Sequence, residues 1–352
     1  MNQIIEIEKI TKLVSFFKRA PYQHNHIYES DSEILDLGLE KNIALTTDIL
    51  CEELEWKLIS NPYIIGWINV ISSLSDLAAV AADPLGVLIG LSQPDAISDE
   101  FSSKFWQGTH AALEAHHTYL LGGDTNVSSS FLVSCTAIGQ RSKAVSLSRK
   151  GVHDGDLLYV TGPVGLGVAT GFANFVIKNH SSEMANQIEH SFKPIARLKE
   201  AHVISRYAST CIDTSDALLA AIDFLCTINN AQPDLTLTTS HFHPICHQIA
   251  AQLKVPLILF ASIHLGEFEL LFTIPQSKKD AFEADMNSNG FSYMNIGRIN
   301  NSLKKMHINN QSVDLNPIRN LLADMQDPAI YLKSQQEWAN SLNPALRGQV
   351  LA

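Results

Sequence analysis

A mixed α/β fold in two domains is what this sequence predicts, and three observations predict it. The chain has 352 residues, more than a single hydrophobic core usually serves, so two domains are expected. Hydrophobic residues make up 45% and charged residues 17%, the balance of a folded globular protein rather than a disordered one. Short apolar runs of strand length alternate with longer stretches of helical periodicity along most of the chain.

The elements follow in order. The stretch from Met1 to Ala20 carries Glu6, Glu8 and Lys9 within its apolar positions, so it reads as an amphipathic first helix and not as a signal peptide. Ile43 to Thr47 is a β-like run ending in Asp48, and Pro62 opens a helical stretch to about Ala82, closed by Asp83-Pro84. Leu85 to Leu91 reads as a strand, Asp99 to about Ala115 as a helix, and Tyr119-Leu120-Leu121 as a strand running into Gly122-Gly123-Asp124. Phe131 to Ile138 is a further strand, and the polar stretch from Arg141 to Asp156 suits a connection between domains. In the second half Asp156 to Thr161 reads as a strand entering a Gly-rich turn and a helix. Helices are expected at Pro194 to Tyr207, Ser215 to Cys226 and His243 to Leu253, and strands at Leu235 to Thr239, Phe268 to Ile274 and Met294 to Ile299. No internal repeat is visible.

Charge and cysteine usage narrow the class. The formal charge is −11, with no run of Lys or Arg, which argues against a nucleic-acid partner. An anionic substrate would then have to be brought in by divalent cations rather than by bulk charge. The five cysteines, Cys51, Cys135, Cys211, Cys226 and Cys246, are scattered singly, as in a reduced, cytoplasmic protein. The longest apolar region, Ile64 to Leu91, is broken by Asn69, Ser72, Ser73, Ser75, Asp76, Asp83 and Pro84 and does not read as a membrane span.

Isolated aspartates at turn positions carry the chemistry: Asp31, Asp48 in Thr46-Thr47-Asp48, Asp76 after Ser75, Asp124 after Gly122-Gly123, and Asp213 and Asp216 in Asp213-Thr214-Ser215-Asp216. Carboxylates where strands meet loops can converge on hard cations, and magnesium then takes phosphate oxygens as its remaining ligands. The glycines before Asp124 would let backbone approach a phosphate. For any single aspartate the plainer reading is a helix N-cap or turn residue, and Asp99 and Asp216 suit that role.

Taken in order, these segments resemble the thiamine-monophosphate kinase family, within the wider PurM-like group that includes aminoimidazole ribonucleotide synthetase, selenophosphate synthetase and the hydrogenase maturation factor HypE. The segments are Thr46-Thr47-Asp48, the run from Ser73 to Pro84, Gly122 to Asn126, Arg149 to Gly151, Gly155 to Gly162, Ile212 to Leu218 and Phe268 to Ile274. The resemblance covers roughly residues 5 to 300. It implies an N-terminal ATP- and metal-binding sheet domain over residues 1–142 that forms a barrel in a homodimer, an α/β sandwich domain over 150–310, and a partly helical tail over 311–352. It implies an ATP- and Mg2+-dependent phosphotransferase acting on thiamine monophosphate by direct in-line transfer. Carried over by motif, the metal ligands would be Asp31, Thr47, Asp48, Asp76, Asp124, Asp213 and Asp216. Asp48, Asp76 and Asp216 would be catalytic, Gly123, Asp124, Arg149 and Ser215 would bind the nucleotide, and Glu55 and Glu267 would face the acceptor.

Departures from the family's pattern gather on the acceptor side. One Asp of the N-terminal acidic pair is Ser30, Glu55 stands where the family has His, and the Arg that follows the Gly-Gly-Asp motif is missing around Val127 and Ser128. The acidic turn before Phe268 is reduced to Leu265-Gly266-Glu267, and Ala217 replaces the glycine after Asp216. The family's C-terminal aromatic segment has no clear counterpart, with Trp338 as a candidate remote substitute. Two alternatives follow: a paralogue phosphorylating a different small molecule, or a nucleotide-binding protein that has lost turnover. Three further signals are weaker. The turn from Gly162 to Gly171 has the wrong spacing for a dinucleotide site. The cluster His241, His243, Cys246 and His247 lacks a second ligand pair for zinc. His116 is expected at an exposed helix end.

Overall fold

The structure, a computed structural model, describes residues 4–15, 17–26, 28–177, 181–262, 265–319 and 327–342. Two sheets organise it. The first is made by β1 (Glu33–Leu35), β2 (Lys41–Leu50), β3 (Asp83–Gln93), β4 (Leu120–Val127) and β5 (Leu132–Ser142), in the order β1-β2-β5-β3-β4. All neighbours are antiparallel except β3 and β4, which run parallel and are joined across the helix Asp99–Ala115, as a parallel crossover requires. The second sheet comprises β6 (Leu157–Val160), β7 (Thr210–Asp213), β8 (Pro233–Leu235), β9 (Leu270–Ile274), β10 (Met294–Ile299), β11 (His307–Ile308) and β12 (Gln311–Ser312). Its order is β12-β11-β8-β10-β6-β9-β7, which leaves β7, and with it Asp213, on an edge.

The helix Pro62–Ala79 lies between the two sheets. Its sequence explains the position. Asn61 caps its start by accepting the Tyr63 N–H, and Pro62 occupies the first turn, where no amide donor is needed. Ile64, Ile65, Trp67, Ile68, Val70, Ile71, Leu74 and Leu77 surround it with apolar groups, all buried, as befits a helix enclosed on every side. Polar contacts at its start and on its flank bind it to the second half. The Trp67 indole N–H donates to the Pro194 carbonyl at 2.8 Å. Glu189 accepts the Asn61 N–H at 2.7 Å and also the Ser60 N–H.

Several elements differ from the sequence reading. The helix expected to about Ala82 ends at Ala79, and Asp83-Pro84 begins β3 instead of a loop. Gly122-Gly123-Asp124 lies inside β4. The parallel pairing with β3 is what asks for glycine there: a Cβ on Gly123 would sit 2.0 Å from the Ile89 carbonyl oxygen. The helix expected from Pro194 starts at Leu198, and the strand expected from Leu235 ends there, followed by a short turn at Thr239–His241. His116 is buried, not exposed. Its Nδ1 lies 2.7 Å from the Ala112 carbonyl and its Nε2 accepts the Ala196 N–H at 3.0 Å, so both ring nitrogens are satisfied within the protein. In the tail, the helix Pro328–Ser341 packs Tyr331, Leu332, Trp338 and Ala339 into the larger core. No described helix is long and apolar enough to cross a membrane.

Candidate active site

Three carboxylates from distant segments meet at the seam between the halves. Asp31 precedes β1, Asp76 sits in the last turn of the helix Pro62–Ala79, and Asp213 ends β7. One oxygen of each lies within 4.8 Å of the others. Asp48, on the face of β2 that meets the helix, joins them electrostatically. Such crowding has a physical cost. Burial, and then the charge on Asp48, push the Asp76 carboxyl well above its usual range. Burial lifts Asp48 to about 6, with the Ser73 hydroxyl pulling the other way. Burial followed by the charge on Asp31 lifts Asp213 to about 7.

Asp31 has a counter-ion. Arg149 grips it with two parallel hydrogen bonds, Nε to Oδ2 at 3.0 Å and Nη2 to Oδ1 at 2.7 Å. Burial alone would lower the guanidinium's pKa, and the Asp31 charge more than reverses this, so Arg149 stays charged. Its guanidinium also lies 5.1 Å from the centre of the Phe224 ring. Asp213 is different. Ser215 donates to its Oδ1 at 2.9 Å, while the buried Oδ2 has no hydrogen-bond partner among the described residues. A buried, unsatisfied carboxylate oxygen beside two further acids suits a hard divalent cation, which would both pair it and offset the like charges.

A cavity of about 550 Å3 opens beside the acids. Its polar lining is Lys9, Arg149, Asp213, Ser215, Asp216, Glu53, Ser262 and the pair Asp223–Arg319, whose bidentate contacts are 2.6 and 2.7 Å. Its apolar lining includes Ile10, Tyr28, Trp56, Leu219, Phe224, Ile318 and Tyr331. Trp56 and Tyr331 pack with ring centres 5.3 Å apart and planes tilted by 54°. The volume suits a small molecule, and the aromatic lining suits one with a ring.

Other residues singled out from sequence are placed elsewhere. Thr47 is exposed on the opposite face of β2 from Asp48, its hydroxyl 2.9 Å from that of Thr136; the threonine that touches an acid is Thr46. Asp124, like Gly123, lies on the exposed edge strand β4, bonded to Asn126 at 2.7 Å. That strand is three positions across the sheet from β2, about 14 Å away at ordinary strand spacing. Glu55 is exposed and does not line the cavity, whereas Glu53 and Trp56 do. Glu267 is buried and turned inward, its Oε2 accepting the Gly165 N–H at 2.6 Å and its Oε1 the Thr214 hydroxyl at 3.3 Å. Asp216 lines the cavity instead of capping the helix Leu218–Asn229, whose N-cap is Ala217. The helix Asp99–Ala115 is capped by Ser98, not by Asp99. The histidine cluster bonds to backbone: His241 and His243 accept the N–H groups of Thr238 and Ile245, and His247 meets the Thr239 carbonyl.

The sequence did not single out Tyr331, Trp56 or Glu53 as residues that line the cavity. The tail contained the signal for Tyr331, an aromatic at helical spacing from Trp338.

Comparison with known proteins finds relatives of this chain in sequence and in fold. The family model described as "AIR synthase related protein, N-terminal domain" matches residues 29–140. The thiamine-monophosphate kinase of Buchnera aphidicola subsp. Acyrthosiphon pisum (strain APS) is 30% identical over 288 residues, covering 78% of this chain and 84% of that protein. The enzyme of the same name from Haemophilus influenzae is 26% identical over 274 residues, covering 77% and 81%. Among solved structures, the one described as AaThiL complexed with AMPPCP and TMP superposes with a TM-score of 0.72 at 20% identity, covering 89% of this chain and 97% of that one.

Proposed function

Because the chain belongs to the thiamine-monophosphate kinase family, we propose that it moves the γ-phosphoryl group of ATP onto thiamine monophosphate, giving thiamine diphosphate and ADP. The observation that carries this reading is the convergence of Asp31, Asp76 and Asp213 around the unsatisfied Asp213 Oδ2, beside a cavity of the size of a small aromatic phosphate. A relative of the same fold has been solved with AMPPCP and TMP, which supports the pairing of nucleotide and acceptor.

In the proposed reaction the residues of this chain bind and orient. Asp31, Asp48, Asp76, Asp213 and Asp216 would hold Mg2+, which when bound supplies charge neutralisation to the phosphate oxygens and keeps donor and acceptor together. Arg149, fixed by Asp31, presents a permanent positive charge at the cavity wall, and Ser215 steadies Asp213. An oxygen of the acceptor phosphate forms the new bond to the γ-phosphorus while the bond to the β–γ bridging oxygen breaks, and ADP leaves with that electron pair. Trp56 and Tyr331 would pack the acceptor's rings, with Glu53 beside them. Glu55 and Glu267, exposed and inward-turned respectively, carry no part of this scheme.

We further propose a homodimer through the first sheet, with the domain boundary between residues 142 and 150. Ile49, Leu88, Tyr119, Leu120, Leu121 and Val127 are exposed on that sheet or at its β4 edge, and an uncovered apolar edge of this kind calls for a partner. Asp124 would then face the partner copy's nucleotide rather than its own acids.

The test is ADP release with Mg2+, ATP and thiamine monophosphate, with the product identified by chromatography. Thiamine diphosphate formed in proportion to ADP supports the proposal. ATP bound in the presence of Mg2+ without ADP release on adding thiamine monophosphate points to a different acceptor. Calorimetry with and without EDTA should show nucleotide binding that needs the metal and weakens in Asp76→Asn; unchanged affinity in that variant would remove the metal reading.

A further inference from the structure

The helix Leu218–Asn229 presents Leu219, Ala220, Asp223 and Phe224 to the cavity. Steps of three and four residues among them put all four on one face. That face starts beside Ser215 and Asp216, which line the cavity just before the helix. Asp223 stands about 8 Å farther along, at the ordinary rise per residue. A molecule whose phosphate lies beside Arg149 and Ser215 would therefore rest its other end against Asp223. The carboxylate there is held ready. Arg319 grips it from Nε to Oδ2 at 2.6 Å and from Nη2 to Oδ1 at 2.7 Å, which fixes its plane. Asn316 Oδ1 in turn accepts from Arg319 Nη1 at 2.9 Å. Each Asp223 oxygen takes one of these bonds, and a carboxylate has room for about four. The side chain is only 14% exposed, and Leu219, Phe224 and Ile318 make the wall around it apolar.

We propose that Asp223 is a specificity-determining residue of the cavity, its carboxylate accepting a hydrogen bond from the amino group of an aminated nitrogen heterocycle whose ring packs on the apolar wall. A ligand with a carbonyl oxygen in place of that amino group would set acceptor against acceptor and strip water from a carboxylate without replacing its bond. Two participants in the proposed reaction carry the required group: the aminopyrimidine of thiamine monophosphate and the adenine of ATP. The short run from Ser215 to Asp223 favours the acceptor, whose phosphate and amino group are closer together than the γ-phosphate and amino group of ATP.

This inference rests on the reading of the cavity as a substrate site, and the experiment keeps the two apart by measuring binding rather than turnover. Calorimetry on the full-length protein with Mg2+ compares two pairs of ligands. One pair is thiamine monophosphate and its analogue with a carbonyl oxygen for the amino group, each with a non-hydrolysable ATP analogue present; the other is ATP and ITP. The wild type should prefer the amino member of the acceptor pair by about tenfold or more, the worth of a hydrogen bond to a charged group. Asp223→Asn, whose amide can donate to a carbonyl, should bring that preference to near parity and leave the ATP-to-ITP ratio unchanged. The reverse pattern, with only the ATP-to-ITP ratio collapsing, assigns Asp223 to adenine and supports the same recognition chemistry. A merely structural role would lower thermal stability and weaken both members of a pair alike, with no change in ratio. Should Asp223→Asn not fold, Asp223→Ala combined with Arg319→Ala removes both charges and is read by the same ratios. A wild type with no preference in either pair, or a folded variant that keeps the wild-type ratios, overturns the inference and leaves the proposed reaction standing. A wild type that does not bind thiamine monophosphate overturns that reaction instead, and the nucleotide pair then decides the role of Asp223.

Discussion

Glu267 accepts the backbone N–H of Gly165 at 2.6 Å, and through that contact the Gly-rich turn after β6 is closed by its own protein. Gly165 has φ +94° and caps the helix Leu166–Phe175, the arrangement that elsewhere offers N–H groups to a phosphate. Here a buried carboxyl takes that place.

The same pair sets a pH dependence. Burial pushes the Glu267 carboxyl up to about 8 from an ordinary 4.5. Between those values the native state keeps a proton that the unfolded chain has lost, so this group makes stability fall as pH rises through the window and level off above it. With about 1.4 kcal/mol for each tenfold change in proton affinity, the effect amounts to a few kcal/mol. Glu267→Gln resembles the protonated form at all pH values. Urea unfolding between pH 5 and 9 should show a flatter profile for the variant and greater stability than the wild type above pH 8; parallel profiles would contradict the account.

Ala217 carries strain that its position explains. It has φ +72° and ψ +163°, a combination open almost only to glycine, costing about 1–3 kcal/mol for other residues. Ala217→Gly should raise the unfolding free energy by about 1 kcal/mol or more, after allowing for the greater entropy of an unfolded glycine. A melting temperature that drops would show that the strain is relieved in some other way.

The edge of the first sheet tests assembly. Light scattering at micromolar concentration should report a dimer for the wild type. Leu121→Glu places a charge on the exposed β4 edge and should shift the mass to that of a monomer with little loss of secondary structure by circular dichroism. A monodisperse wild-type monomer counts decisively against the dimer.

Acceptor recognition is tested by a pair of substitutions. Glu55→His alters an exposed residue outside the cavity and should leave kcat/KM for the acceptor within about twofold, as surface changes away from a site usually do. Trp56→Ala removes an aromatic wall and should raise the acceptor KM about tenfold, in keeping with the loss of a stacked ring, with ATP affinity little changed. Turnover that disappears in Glu55→His would return that residue to the acceptor site.

Much of the fold was legible because local chemistry and tertiary structure agree. Asn61 and Pro62 mark a helix start, and the apolar run from Leu85 to Leu91 is the centre of β3. The cluster of Asp31, Asp48, Asp76 and Asp213 was legible as a set of aspartates at strand and helix ends, though only the fold brings them together. Gly122-Gly123-Asp124 misled, since glycine marks a turn and also marks close backbone approach, and the second applies at Gly123. Glu53 and Glu55 could not be told apart, because both lie in one short helical turn and only its docking decides which faces inward. The helical spacing of Tyr331 from Trp338 marks a buried helix face, but its pairing with Trp56, far away in sequence, comes only from the fold.

The Arg149–Asp31 clasp spans 118 residues, and it sets a condition on synthesis. A chain emerging from the ribosome carries Asp31, Asp48 and Asp76 long before Asp213 and Asp216 exist, so the half-made protein bears acids without a site. Non-local closures of this kind come late in folding. On the proposed metal reading, capture of a divalent ion would follow the meeting of Asp213 with Asp31 and Asp76, and a translation-coupled assay with a fluorescent ion indicator would time that event.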